Sequence, residues 1–368
     1  MILANDTTYT YNLRDILIKR LISDGFKVVI CCERLNYEKE IIELGAKIID
    51  IKMHRRSTNP ILDVFLLFRF ITVILEEKPN VVLTYNIKPN VYGGMACKIL
   101  HVPYIPNITG LGTAVENASF IQKISLTLYK KGVSNAACVM FQNEGNREYF
   151  IKSSLMGKNS HSRLLPGSGV NLEKFNLESY PDKDSPVVFS IIGRIMKDKG
   201  TDELLEAIKV VKQKYPDVHF RMIGYFDDNY QAIIKTAVDK GLIEYYEEQK
   251  DIRPFLKESW AVIQPSHHEG MSNVLLESAA TGRPVIATDI PGCRESFDNE
   301  ISGFSFKVGN YQALAETIMR FIEMQYDKKV NMGKSGREKM LREFDRNIVA
   351  NAYLDEIDGV GGKKDATV

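Results

Sequence analysis

Residues 193–200 read Gly193-Arg194-Ile195-Met196-Lys197-Asp198-Lys199-Gly200. Of the basic residues in this glycine-bounded loop, two suit a diphosphate: Arg194 would grip oxygens bidentately, and Lys199 would act as a movable point charge. By itself the stretch also reads as a solvated basic loop. A second stretch, residues 265–277, reads Pro-Ser-His-His-Glu-Gly-Met-Ser-Asn-Val-Leu-Leu-Glu. Glu269 lies in a turn with Gly270, and Ser272 stands where a helix would take its N-cap. The free N–H groups at that helix start attract phosphate. Carboxylates such as Glu269 and Glu277 can each accept two hydrogen bonds from neighbouring hydroxyls, as on ribose or a sugar ring. Taken alone, each reads as a solvated carboxylate. His267 and His268 precede Glu269, but adjacent side chains diverge and no other His or Cys lies at ligand spacing, so no metal is expected. Together the stretches outline a site for a nucleotide-sugar.

Such loops must be carried by strands. Short apolar runs at Phe26–Cys31, Lys47–Ile51, Val81–Thr84, Tyr104–Asn107 and Cys138–Gln142 read as buried strands. Helical spacing links them, at Leu13–Leu21, Ile61–Glu77 and Phe120–Lys131. A second series follows: strands at Val187–Gly193, Val218–Ile223, Trp260–Gln264 and Pro284–Thr288, and helices at Asp202–Lys214, Asn229–Lys240, Asn273–Thr281, Gln312–Met324 and Ser335–Ile357. Alternation of this kind predicts parallel sheets wrapped by helices. The polar stretch Glu178–Pro186, after Leu165-Pro-Gly-Ser-Gly-Val-Asn171, reads as a linker, and a cleft between two α/β domains is the expected ligand site.

The 368 residues suggest two domains, and 44% hydrophobic with 26% charged residues describe a globular chain. Forty-eight Lys and Arg against 47 Asp and Glu give a net charge of +1, which disfavours a nucleic-acid partner. Five cysteines without CxxC spacing point to a reducing compartment. The N-terminus lacks the pattern of a signal peptide, so the Asn-x-Thr/Ser triplets at Asn5, Asn107 and Asn117 read as chance. The most apolar segment, Ile61–Leu75, is too short to span a bilayer, which needs about 20 residues. Its place between two strands reads as buried core. Phe120–Lys131 combines apolar positions with Lys123, Lys130 and Lys131, either a helix at an anionic membrane surface or an ordinary cover for the sheet.

With these motifs in place, the chain resembles the retaining glycosyltransferases of family 4, which have the GT-B fold of two facing Rossmann-like domains. Glu269 and Glu277 match that family's Glu-x7-Glu motif, and Gly193-Arg194 with Lys199-Gly200 match its phosphate loop. Gly282-Arg-Pro-Val-Ile-Ala-Thr-Asp289 and Pro291-Gly292 also follow its pattern. The resemblance implies that Arg194 and Lys199 bind the donor diphosphate, Glu277 the ribose and Glu269 the donor sugar. It places Gly270, Met271, Ser272, Asn273 and Val274 on the sugar and phosphates, and Gln249 to Ile252 beside the base. It implies an acceptor domain over 1–166, a nucleotide-sugar domain over 167–343, a helix over 344–358 crossing back, and a disordered tail at 359–368. No cofactor and no metal are expected.

Arg55-Arg56-Ser-Thr-Asn-Pro60, Thr84-Tyr-Asn-Ile-Lys-Pro-Asn90, Tyr92-Gly-Gly94 and Asn107-Ile-Thr-Gly-Leu-Gly112 resemble bacterial members acting on undecaprenyl-diphosphate-linked sugars. That implies a UDP-sugar donor, with UDP-GalNAc the first expectation. The lipid-linked acceptor would meet Arg55, Arg56, Lys88, Asn90, Thr109 and Gly110, at the cytoplasmic face of the plasma membrane. Two departures stand out: Thr109-Gly110 replaces a donor-contacting histidine, and a loop Asn5-Asp6-Thr7-Thr8 replaces a Gly-Gly loop. The family transfers with retention, by same-face attack in which the leaving diphosphate takes the acceptor proton. A nucleotide-sugar epimerase and a non-catalytic UDP-sugar-binding subunit are the rival readings.

Overall fold

The computed structural model describes residues 1–54, 57, 59–109, 120–157 and 161–361, with the side chains of 120–123 excepted. Arg55, Arg56, Gly110 and Gly112 lie outside the described residues, as do Asn117 and the tail from 362. So do the side chains of Phe120, Ile121 and Lys123. Two compact units divide the chain: Met1–Gly169 with the chain from Arg346 onward, and Val170–Asp345.

Among the described residues the first unit holds seven strands: β1 (Ile2–Asp6), β2 (Val29–Glu33), β3 (Lys47–Asp50), β4 (Val82–Tyr85), β5 (Tyr104–Ile108), β6 (Cys138–Phe141) and β7 (His161–Leu164). Their order is β3-β2-β1-β4-β5-β6-β7, every pairing parallel. Helices α1 (Thr7–Ser23), α2 (Glu38–Glu43), α3 (Pro60–Glu77), α4 (Gly94–Leu100), α5 (Phe120–Val133) and α6 (Glu144–Lys152) connect them, with a π-helical turn at Pro89–Gly93. Strand side chains alternate between faces. Ile2, Ala4, Ile30 and Cys32 pack with Leu17, Ile18 and Leu21 of α1, while Leu3, Val29 and Cys31 pack with Phe70, Val73 and Ile74 of α3.

The second unit holds β8 (Val188–Ile192), β9 (His219–Ile223), β10 (Glu244–Tyr246), β11 (Ala261–Gln264), β12 (Val285–Thr288) and β13 (Gly303–Phe306). The order is β10-β9-β8-β11-β12-β13, again parallel. Its helices are α7 (Thr201–Lys214), α8 (Gln231–Asp239), α9 (Arg253–Glu258), α10 (Asn273–Ala280), α11 (Tyr311–Glu323) and α12 (Tyr326–Glu343). Phe189, Phe220 and Ile263 pack with α7 and α11 on one face, and Ile192, Ile223 and Val262 pack with α10 and α12 on the other. A last helix, α13 (Arg346–Gly359), belongs to the first unit and puts Val349, Ala350 and Tyr353 on the sheet beside α1.

Three expectations change. Ser335–Ile357 is not one helix: α12 ends at Phe344, whose carbonyl accepts from Val170 N at 2.8 Å. The next residue but one, Arg346, is buried and donates to Asp15 Oδ1 at 2.6 Å and Asn12 O at 2.8 Å. There is no loop at Asn5–Thr8 either. Asp6 closes β1 and caps α1 by accepting from Tyr9 N at 2.9 Å. Thr7 and Thr8 accept from the backbone of Leu35 and Asn36. The described part of α5, for which the sequence leaves two readings open, packs Leu126, Leu128, Tyr129 and Val133 on the core. The third changed expectation concerns α3, which is only half core: Ile61, Val64, Phe65, Phe68 and Leu75 are exposed. Short polar-rich edge strands β7 and β10 escaped the apolar-run criterion, since an edge strand need not be buried on both faces.

Candidate active site

In an open parallel sheet, ligands bind beyond the carboxyl ends of strands where the winding reverses. In the second unit that point lies between β8, which also pairs with β9, and β11, which also pairs with β12. The Gly193–Gly200 loop leaves β8 and the Ser266–Ser272 turn leaves β11, so two segments far apart in sequence are neighbours.

The β8 loop is anchored on both sides. Ile195 N donates to Tyr225 O at 2.8 Å and Asp227 N to Ile195 O at 3.1 Å, pairing it with the loop after β9. That pairing brings Asp227, 7% exposed at its side chain, to Arg194, whose Nη1 donates to Asp227 Oδ2 at 2.7 Å. The Arg194 side chain stays 39% exposed and aims its charge from a fixed base. On the other side, His267 N donates to Asp198 O at 2.9 Å. Gly200 has φ +70°, and a Cβ there would overlap Pro265 O, so glycine is what lets the β8 and β11 loops close together.

Lys199 ends a 3-10 turn, Lys197–Lys199, and its Nζ donates to Glu269 Oε1 at 2.6 Å. The same oxygen accepts from Ser266 Oγ at 2.8 Å and Gln264 Nε2 at 3.0 Å. Three donors on one carboxylate oxygen hold Glu269 in one orientation. Behind it, Gly292 takes φ +87°, and its carbonyl accepts from Ser272 N at 2.9 Å. A Cβ on Gly292 would come within 2.7 Å of both Glu269 O and Gly270 O.

Ser272 is the N-cap of α10, as expected, yet its side chain makes no cap hydrogen bond. Asn273 opens the helix with a buried Oδ1 that has no hydrogen-bond partner among the described residues. Met271 is buried, Gly270, Val274 and Glu277 are half-buried, and Glu277 sits on the second turn of α10. Gln249 is exposed and donates to Glu247 O at 3.0 Å, and Ile252 is the half-buried N-cap of α9. The histidines turn to carboxylates: His267 Nε2 lies 3.1 Å from Glu203 Oε1, and His268 Nδ1 3.0 Å from Asp198 Oδ1.

In the first unit, Lys88 follows β4 at the corresponding carboxyl edge. Its Nζ donates to Asp63 Oδ1 and His54 O, both at 2.8 Å. Asn90 corrects an expectation. It is 1% exposed, its Oδ1 accepts from Thr84 Oγ1 at 2.7 Å and its Nδ2 donates to Asn107 O at 2.8 Å. Both ends of the amide are committed to joining β4 and β5, so Asn90 positions the edge without facing a ligand. Thr109 is half-buried just past β5. Arg283, part of the conspicuous Gly282–Asp289 run, is wholly buried and donates to the carbonyls of Leu256, Ser179 and Lys257. It is structural. Asp227, Gln264 and Ser266 were not legible beforehand, because each acts only through the partner that folding brings to it.

Profiles of known families match both units. "Glycosyl transferases group 1" matches residues 173–339, and "Glycosyl transferase 4-like" matches residues 1–143. The chain belongs to these glycosyltransferases, with the GT-B fold of two Rossmann-like domains. It is 26% identical to the N,N'-diacetylbacillosaminyl-diphospho-undecaprenol alpha-1,3-N-acetylgalactosaminyltransferase of Campylobacter jejuni over 95% of this chain and 96% of that protein. It is also 26% identical to the UDP-Gal:alpha-D-GlcNAc-diphosphoundecaprenol alpha-1,3-galactosyltransferase of Escherichia coli, over 89% and 87% respectively. Among solved structures, Anabaena Alr3699/HepE in complex with UDP and glucose superposes with a TM-score of 0.79 at 15% identity, covering 97% of this chain and 98% of that one.

Proposed function

We propose that this glycosyltransferase moves a hexose-type sugar, GalNAc in the first instance, from a UDP-sugar to a polyprenyl-diphosphate-linked saccharide. The transfer retains anomeric configuration, needs no metal, and serves bacterial surface-glycan or glycoprotein-glycan synthesis. It takes place in the cytoplasm, with the enzyme peripherally bound at the inner face of the membrane that holds the acceptor. The observation carrying this reading is the pinned pair Lys199–Glu269 beside Arg194 at the reversal point of the second sheet. The names of the two relatives quoted, both acting on undecaprenyl-diphosphate-linked substrates, support the acceptor class.

The chemistry follows from positions. Arg194, Lys199 and the amides that open α10 stabilise charge on the departing UDP, as preorganised donors do. Glu269 uses Oε1 to hold its own orientation and offers Oε2 to hydroxyls of the donor sugar. Glu277 takes the ribose, while Gln249 and Ile252 flank the base. With the sugar held, the acceptor hydroxyl attacks on the face that UDP leaves. The C–O bond to UDP breaks, the new glycosidic bond forms, and the hydroxyl proton passes to the leaving diphosphate. The enzyme contributes positioning and charge stabilisation.

The test is UDP release from a panel of UDP-sugars, with and without undecaprenyl-diphosphate-linked saccharides, in wild type and Glu269→Ala. Acceptor-dependent release from one donor, lost in the variant, is the expected result. Sugar conversion without acceptor would instead identify an epimerase, and UDP-sugar binding without turnover on any acceptor would identify a binding subunit.

A further inference from the structure

Helix α3 carries an apolar stripe that its own unit leaves uncovered. Ile61, Val64, Phe65, Phe68 and Leu75 are 64, 51, 67, 61 and 56% exposed. At 100° per residue they fall on one side of the helix, opposite the buried Leu66, Phe70, Val73 and Ile74. Scattered exposed apolar residues are ordinary, but a contiguous stripe of this kind marks a surface that meets something.

The charges around it say what. Exposed Lys52 lies in the segment leading into α3, and exposed Arg69 flanks the stripe. Asp63 points elsewhere, bonded to Lys88 and to Tyr92 Oη at 2.8 Å. The stripe's four N-terminal residues therefore have cations beside them and no exposed carboxylate until Glu76. A symmetric second copy would bring the same cations to the interface a second time, with no exposed carboxylate beside the stripe's N-terminal half to pair them. An anionic lipid surface satisfies both features: apolar side chains enter the acyl boundary, and Lys and Arg meet headgroups. The helix lies on such a surface without crossing it, since no described helix is long and apolar enough to span a membrane. Its N-terminus, capped by Asn59, opens at the sheet edge where Lys88 follows β4.

We propose that the Ile61–Leu75 face of α3 is where this protein docks on an anionic bilayer, a reading that rests on the proposed polyprenyl-linked acceptor and names the surface that reaches it. The stripe lies flat in the headgroup boundary. The sheet edge at Lys88 then opens towards a diphosphate whose hydrocarbon tail stays in the same leaflet.

Co-sedimentation of the full chain with phosphatidylglycerol–phosphatidylcholine vesicles tests this, using wild type, Phe65→Ser/Phe68→Ser and Arg69→Glu. Wild type should sediment with the anionic vesicles, and the double variant should lose roughly tenfold or more in partitioning, as expected for withdrawing two aromatic rings. Arg69→Glu and added salt should each weaken binding. UDP binding and the thermal unfolding of both units should be unchanged in both variants, which shows that they fold. Equal sedimentation of wild type and double variant, or no wild-type binding, would overturn the proposal. So would a wild-type dimer that the double variant dissociates. Neither donor nor acceptor is in this assay. Vesicle binding by a protein that transfers nothing would sink the proposed function alone, and transfer to a detergent-solubilised acceptor by a protein that ignores vesicles would sink the docking face alone.

Discussion

Lys199 Nζ stands 2.6 Å from Glu269 Oε1, and the two side chains are only 16 and 13% exposed. The cation proposed for the leaving group and the carboxylate proposed for the sugar thus hold one another in place before any ligand arrives. Lys199→Ala should lower kcat by about 10²-fold, the usual effect of deleting one preorganised donor. Glu269→Ala should cost as much, and the double variant little more than either, because the residues act as a unit. UDP-release kinetics on the three variants check this. Strictly additive losses would mean that the pair is not a functional unit.

Asp227 holds Arg194 through one ion pair, Nη1 to Oδ2 at 2.7 Å, with the aspartate side chain 7% exposed and the arginine 39%. Asp227→Asn keeps the shape but removes the charge that fixes the guanidinium. Activity should fall by about tenfold, less than in Arg194→Ala, with the larger share in kcat, as expected for lost alignment. A variant with wild-type kcat and KM would show that Arg194 needs no such support.

Gly292 supports the turn that carries Glu269. A methyl group there would meet two backbone oxygens, at a φ of +87° that L side chains resist. Gly292→Ala should therefore cost activity as Glu269→Ala does, while lowering stability by only about 1–3 kcal/mol. Paired measurements of turnover and chemical denaturation decide it. Full activity would show that the turn can move without consequence.

Arg283 is buried with its guanidinium spread over backbone carbonyls, and burial pulls its pKa down to about 10. Arg283→Ala should destabilise the second unit by about 3 kcal/mol or more, because several buried acceptors lose their donor and a cavity opens. Urea denaturation measures this. A change below about 1 kcal/mol would contradict the structural role.

All five cysteines are buried as free thiols, and burial pushes Cys31, Cys97 and Cys138 each up to about 12. The reactive thiolate is therefore scarce at neutral pH. A thiol reagent should label none of them in the native protein within minutes and all five after denaturation. Fast labelling of even one native cysteine would place it elsewhere.

Most of the central strands could be read from their continuous apolar runs, because a strand between two helical layers is buried on both faces and advertises it. The chemistry-bearing residues of the second unit were legible for a related reason. Gly193–Gly200 and Glu269–Glu277 combine residue types that a diphosphate and a hydroxylated ligand require, at spacings local enough to appear in one dimension.

What only the folded chain decides is which distant groups meet. The order β10-β9-β8-β11 brings Asp227 to Arg194 and Glu269 to Lys199, and no local pattern encodes either meeting. Asn90 looked like a ligand group by its motif, yet burial between β4 and β5 commits its amide. The periodicity of 335–357 continues through Phe344 and Asp345, but Arg346, which belongs with the first unit, pairs with Asp15 of α1 and the helix breaks. For α3, sequence carries the apolar residues but not their fate. Two-sided hydrophobicity reads as core, and only packing shows that one side is exposed among the described residues.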